Sequence, residues 1–133
     1  MNINCNIAFV ISDFELEFEE INKNIKVNPT KIIHKGQEIT ANKLAPYDIW
    51  SYEIKISKEI NISDGLCTLL DQIMPYSSYI KKILSQYREV AVNCYIRSDM
   101  GQIGFEVSPE IIKRLDRIGI GLNFHILSFG FVE

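Results

Sequence analysis

At 133 residues, 47% hydrophobic and 23% charged, the chain has the length and composition of one ordinary folded domain, not of a disordered segment. A net charge of −3 denies it the basic footprint that a general nucleic-acid binder needs to displace phosphate counterions. No apolar run approaches the roughly 20 residues of a membrane-spanning helix, and Met1 to Asn6 lack the basic start and apolar run of a signal peptide, so a cytoplasmic, membrane-free protein is expected.

Along the chain, Ile3, Cys5, Ile7, Phe9 and Ile11 alternate with Asn4, Asn6, Ala8 and Val10. That is the period of a strand with one well-buried face. Residues 13–20 mix two periods, since Phe14, Leu16 and Phe18 recur every second residue while Phe14, Phe18, Ile21 and Ile25 have helical spacing. A short helix over about 18–26 is predicted, ending before Pro29. Residues 31–40, with Gly36, read as a short edge strand or a structured loop. Trp50, Tyr52, Ile54 and Ile56 alternate with Ser51, Glu53, Lys55 and Ser57, which predicts a half-buried strand.

The period then changes. Leu66, Leu69, Leu70 and Ile73 give one helical face, with Ser63 or Asp64 as cap and Pro75 as stop. A second helix presents Ile80, Ile83, Leu84 and Tyr87, with Ser77 or Ser78 as cap. Val90, Val92, Cys94 and Ile96 predict a strand. The turn Asp99-Met100-Gly101 followed by Ile103, Phe105 and Val107 predicts a hairpin. Ser108-Pro109-Glu110 is a helix start, because serine caps free N–H groups, proline fits the first turn and glutamate suits the positive end of the dipole. Ile111, Ile112, Leu115 and Ile118 are expected inward, Lys113, Arg114 and Arg117 outward, with Gly119 closing the helix. Leu122, Phe124 and Ile126 belong to a last strand.

No linker or low-complexity stretch interrupts residues 1–133, so a single α+β domain is expected. Its sheet should be mostly antiparallel (mixed), with about five to six strands and helices packed on one face, and the C-terminal β-α-β unit should cross over right-handed if its strands are parallel.

Chemistry-bearing patterns are scarce. There is no G-x-S-x-G elbow, no H-E-x-x-H pair and no G-x-x-x-x-G-K phosphate loop. Cys5, Cys67 and Cys94 have no close pair and sit in apolar stretches, which makes them small buried hydrophobes and a poor disulfide framework or zinc site. His34 and His125 stand alone. No catalytic residue, metal or cofactor is therefore predicted. The one unusual charge feature is Asp13, Glu15, Glu17, Glu19 and Glu20, five carboxylates with no lysine or arginine before Lys23. Such a run serves either as a solvated helix start, where carboxylates favour the dipole, or as a docking surface for a basic partner. Trp50 and Tyr52 are expected in the core. Tyr47, Tyr76 and Tyr79 are candidate contact aromatics.

The chain also resembles a bacterial family, domain of unknown function 4279, over nearly its whole length. The likeness rests on Ala8-Phe9-Val10-Ile11-Ser12, Ile21, Pro29-Thr30, Lys35-Gly36, Trp50, Leu69-Leu70 with Pro75, and Val107-Ser108-Pro109-Glu110. The family often has glycine and an Asp-Pro helix start after the first strand, whereas here Phe14 and the acidic run follow Asp13. The resemblance implies no catalytic residues. Small acidic proteins of such families look like immunity proteins, so the leading expectation is a non-enzymatic binding protein that neutralises a toxin, with a basic toxin domain as partner. The alternative is a small-ligand or regulatory sensor that uses the open sheet face.

Overall fold

The computed structural model describes residues 3–57 and 61–131. Strand β1 (Ile3–Asp13) forms the middle of a five-stranded sheet, because its alternating apolar residues can be buried only with a neighbour on each side. Both neighbours run antiparallel to it: β5 (Asp48–Ser57) places Ile54, Tyr52 and Trp50 opposite Ile7, Phe9 and Ile11. On the other side, β6 (Glu89–Met100) places Cys94, Val92 and Val90 opposite the same three residues. The short β2 (Lys31–Ile33) closes one edge on β5, and β7 (Gly121–Phe131) closes the other by pairing parallel to β6. The sheet order is β2-β5-β1-β6-β7. Strands β3 (Glu38–Thr40) and β4 (Lys43–Leu44) make a separate small hairpin, turned through Asn42 at φ 63°. Residues 31–40 thus contain both an edge strand and part of this hairpin.

Helices cover one face. After α1 (Phe18–Asn24) come α2 (Ile62–Ile73), a 3-10 turn at Met74–Tyr76, α3 (Ser77–Leu84) and α4 (Pro109–Ile118). The predicted stripe of α2, Leu66, Leu69, Leu70 and Ile73, is wholly buried with Ile80 and Ile83 of α3. They meet Ile7, Phe9, Ile11 and Trp50 in one core. Gly65 lets α2 lie close to the sheet. A Cβ there would overlap the Ile56 δ-methyl and stand 2.7 Å from that of Ile7. β1 is buried on both faces from Ile7 to Ser12, not on one alone. On the helix-free face its side chains are small, and the bulkier residues of neighbouring strands shelter them.

Several expectations need correction. No strand occupies 103–107. Both edges of β6 are already taken, by β1 and β7, so a returning hairpin strand has no edge to join. The apolar alternation there serves a different purpose, since Ile103 and Val107 lie against the core from an extended crossing segment. Helix α2 is capped by Asn61, whose side chain accepts from the Asp64 amide. Ser63 instead bonds Glu106 O at 2.7 Å and accepts from Ser108 N at 3.1 Å, tying the starts of α2 and α4. Neither Ser77 nor Ser78 caps α3, because that helix continues directly out of the 3-10 turn. In α4 the buried stripe is Ile111, Leu115 and Ile118, while Ile112 is 54% exposed. Arg114, expected outward, lies half-inward and pairs with Asp71 of α2 at 2.7 Å.

The predicted start and stop of α4 are both present. Ser108 accepts from the Ile111 amide, and Gly119 adopts the left-handed conformation at φ 88°. Ser108→Ala should lower stability by about 1 kcal/mol, through loss of that cap. Denaturant melts check this, and an unchanged midpoint contradicts it.

Candidate functional site

The acidic run leaves β1 at the end of the sheet where β5 and β6 begin. Asp13 and Asp48 stand directly opposite each other there. Facing carboxylates repel, so each must be engaged. Asp13 accepts from the amides of Phe14 at 2.6 Å and Arg88 at 3.0 Å. Asp48, buried, accepts from Leu16 at 2.9 Å and Lys35 at 2.7 Å. Burial alone would raise the Asp48 pKa. The Lys35 and Leu16 amides, helped by the charges of His34 and Lys35, outweigh it and hold the carboxyl below its usual range.

These bonds fix the path of residues 14–17. Leu16 turns into the core, and Phe14 and Glu15 turn out. Glu17 begins α1, and its amide donates to the Tyr87 hydroxyl at 3.3 Å. Glu15, Glu17, Glu19 and Glu20 are exposed. Among the described residues none of the four has an ion-pair partner within 4.0 Å. Asp13 differs, because both its oxygens are engaged by backbone amides. Phe14, 58% exposed, meets the edge of Tyr47 at 5.0 Å. The Arg88 guanidinium covers the Tyr47 ring at 3.9 Å. An aromatic-arginine stack thus stands beside the carboxylates.

Of the candidate tyrosines, Tyr47 belongs to this stack. Tyr79 lies at the same end, close enough to Glu17 and Glu20 to feel their charge. Tyr76 ends the 3-10 turn and is partly buried against the core, and among the described residues no hydrogen bond or ring contact ties it to the acidic run. Trp50 is wholly buried, and its indole donates to Asn22 of α1 at 2.9 Å. Asp48 and Arg88 had no local signal, and the periodicity that marked Phe14 and Tyr87 reported packing, not a place at this site. Tyr87 and Arg88 lie some seventy positions from the run they support.

The helix-free sheet face offers a second surface. A trough of about 280 Å³ has Ala8, Val10 and Ser51 as floor and Lys31, Tyr95 and His125 as walls. Tyr95 and His125 stack at 4.8 Å. Buried Asn93 accepts from Asn123 at 3.0 Å and donates to the Tyr95 hydroxyl at 3.2 Å. Among the described residues no group of three or more His, Cys, Asp or Glu side chains could hold a metal ion. Cys5 and Cys94 are buried and free, with burial raising both thiols, Cys94 to about 12. Cys67 is free and only partly buried. No described helix is long and apolar enough to cross a membrane.

The electrostatics at the acidic end can be read from Tyr79. Burial first, then Tyr87, Glu20 and Glu17, push its pKa up to about 12. A raised folded pKa stabilises the protein fully below the unfolded value of about 10, and that contribution is lost as pH rises toward 12. In an absorbance titration, Tyr79→Phe should remove a tyrosine that ionises near 12. Glu17→Gln with Glu20→Gln should lower that step without bringing it to 10, because burial leads. A Tyr79 that titrates near 10 contradicts this arrangement.

No curated protein and no solved structure matches the chain. A family model does, over residues 3–129, and the residues that carried the resemblance all lie within that span. By that match over nearly its whole length, the chain belongs to the domain of unknown function family DUF4279.

Proposed function

We propose that this chain is a non-enzymatic binding protein that docks a basic protein partner with its acidic end, and that the partner is a toxin domain it neutralises. The observation that carries the reading is the juxtaposition of four exposed carboxylates, without an ion-pair partner among the described residues, with the Phe14–Tyr47–Arg88 stack. Tyrosine and arginine are the residues that recur at the energetic centre of interfaces, with charged groups at the rim. Rim carboxylates act chiefly on association, by steering a partner of opposite charge. The aromatic stack acts on dissociation, because its burial must be undone for the partner to leave. A toxin is favoured within this class because stoichiometric occlusion needs a surface and no catalytic group.

The trough on the open sheet face favours a second reading, a sensor of a small ligand, on the single observation that a buried amide is oriented there by Asn123 and Tyr95. Ligand-induced thermal shifts that are lost in Asn93→Ala would support it over the first.

The direct test is co-expression with the protein encoded next door. Under the proposal the two co-purify and growth is protected. Glu17→Lys, Glu19→Lys and Glu20→Lys together should slow association and flatten its salt dependence, since such steering is screened over roughly 8 Å at physiological salt. Phe14→Ala should instead speed dissociation, at a cost of about 1 kcal/mol or more. A neighbour that is harmless alone, or that kills equally in the presence of this protein without co-purifying, overturns the toxin reading.

A further inference from the structure

The two edges of the sheet are built differently. The β2 edge is three residues long and carries Lys31, and both features discourage strand addition. The β7 edge is eleven residues long and has no Asp, Glu, Lys or Arg anywhere in Gly121–Phe131. Residues 123–130 of β7 are all exposed. Phe124 and Ile126 stand out on the helix side at 38% and 51% exposure, and Leu127 lies toward the other face at 53%. Backbone pairing on one side, to β6, is what chiefly holds this strand. Among the described residues its outer edge has no partner. An uncharged, apolar, unpaired edge of this length is a template for another strand.

We infer that the outer edge of β7 is a dimer interface, on which β7 of a second copy of this chain pairs antiparallel about a two-fold axis to make one continuous ten-stranded sheet. Three arguments favour a second copy over another partner. An antiparallel pair of identical edges is isologous, so it satisfies both edges at once and closes, leaving only the lysine-bearing β2 edges at the ends. The strand has no charge with which to select a charged partner, whereas it carries exposed apolar residues on both faces, Phe124 and Ile126 on one and Leu127 on the other, that a second copy would meet with its own. Finally, the acidic runs of the two copies stay apart. The acidic helix α1 lies against Trp50 of β5, three strands from β7, or about 14 Å at ~4.8 Å per strand, beyond the Debye length of about 8 Å.

This interface is separate from the acidic end and does not rest on the proposed partner. Sedimentation velocity of the whole chain tests it. The wild-type protein should sediment as a dimer of twice 15.3 kDa. Ile126→Lys on the helix side and Leu127→Lys on the opposite face each add one like charge per copy to the strand pair, and each should weaken the dimer at least about a hundredfold while circular dichroism stays native. In wild type, amides of β7 that point away from β6 should exchange more slowly at high than at low protein concentration. That exchange decides the matter even if a lysine variant fails to fold. A wild-type monomer at the highest soluble concentration overturns the inference. So does a dimer that both folded variants leave intact, or outer β7 amides whose exchange ignores concentration.

Discussion

Two facing aspartates organise the end of the molecule where function is proposed. Asp13 and Asp48 end β1 and begin β5 directly opposite each other, a placement that in isolation destabilises a strand pair. Between them they accept four backbone amides, those of Phe14, Leu16, Lys35 and Arg88. Those amides come from three separate loops. The repulsion is thereby converted into a clamp, because hydrogen bonds to a charged acceptor are stronger than neutral ones. The path of residues 14–16 follows from it. Leu16 is drawn into the core, so Phe14 and Glu15 are forced outward, and Arg88 is brought over Tyr47.

The same economy distinguishes the two edges and the two faces of the sheet. Helices α2 and α3 bury the side of β1, β5 and β6 that carries long apolar residues. On the other side, small residues at the centre and larger ones at the flanks leave a trough. The crossing connection through α4 returns the chain as β7, parallel to β6 and beyond the helical cover. The acidic end and the β7 edge are therefore separate surfaces, one charged and one apolar.

How much of this was legible in the sequence depended on the range of the cause. Strands β1 and β5, the apolar stripe of α2 and both ends of α4 are written in residues a few positions apart, and all were readable. The predicted hairpin at 103–107 failed because period two reports an extended chain with one apolar side, not a partner. Whether β6 had a free edge was decided by β1 and β7, far away in sequence. Ile112 and Arg114 were misassigned for a related reason. Four apolar residues on α4 suggested a broad inner face, but contact with α2 selects Ile111, Leu115 and Ile118 and admits Arg114 to meet Asp71. The acidic run was visible as composition. Its supports, Asp48, Tyr87 and Arg88, were not, since no local pattern marks a residue whose task is to bond a loop dozens of positions away.

The clamp is the part of this account on which the rest stands, and the pH dependence of one variant tests it. Asp48→Asn keeps the shape of the side chain but replaces one acceptor oxygen with a donor. At pH 7 it should lower unfolding free energy by about 1–3 kcal/mol, the range for loss of a buried bond to a charged acceptor. Because the folded pKa of Asp48 lies below its unfolded value of about 3.9, the wild-type advantage is complete above that pH. It should then shrink as pH falls through the lower, folded value. Denaturant melts of both proteins from neutral to strongly acid pH measure the gap. A gap that closes in acid is the predicted result. No gap at neutral pH, or one that stays constant into acid, would contradict the claim that the ionised Asp48 carboxylate holds this end of the molecule together.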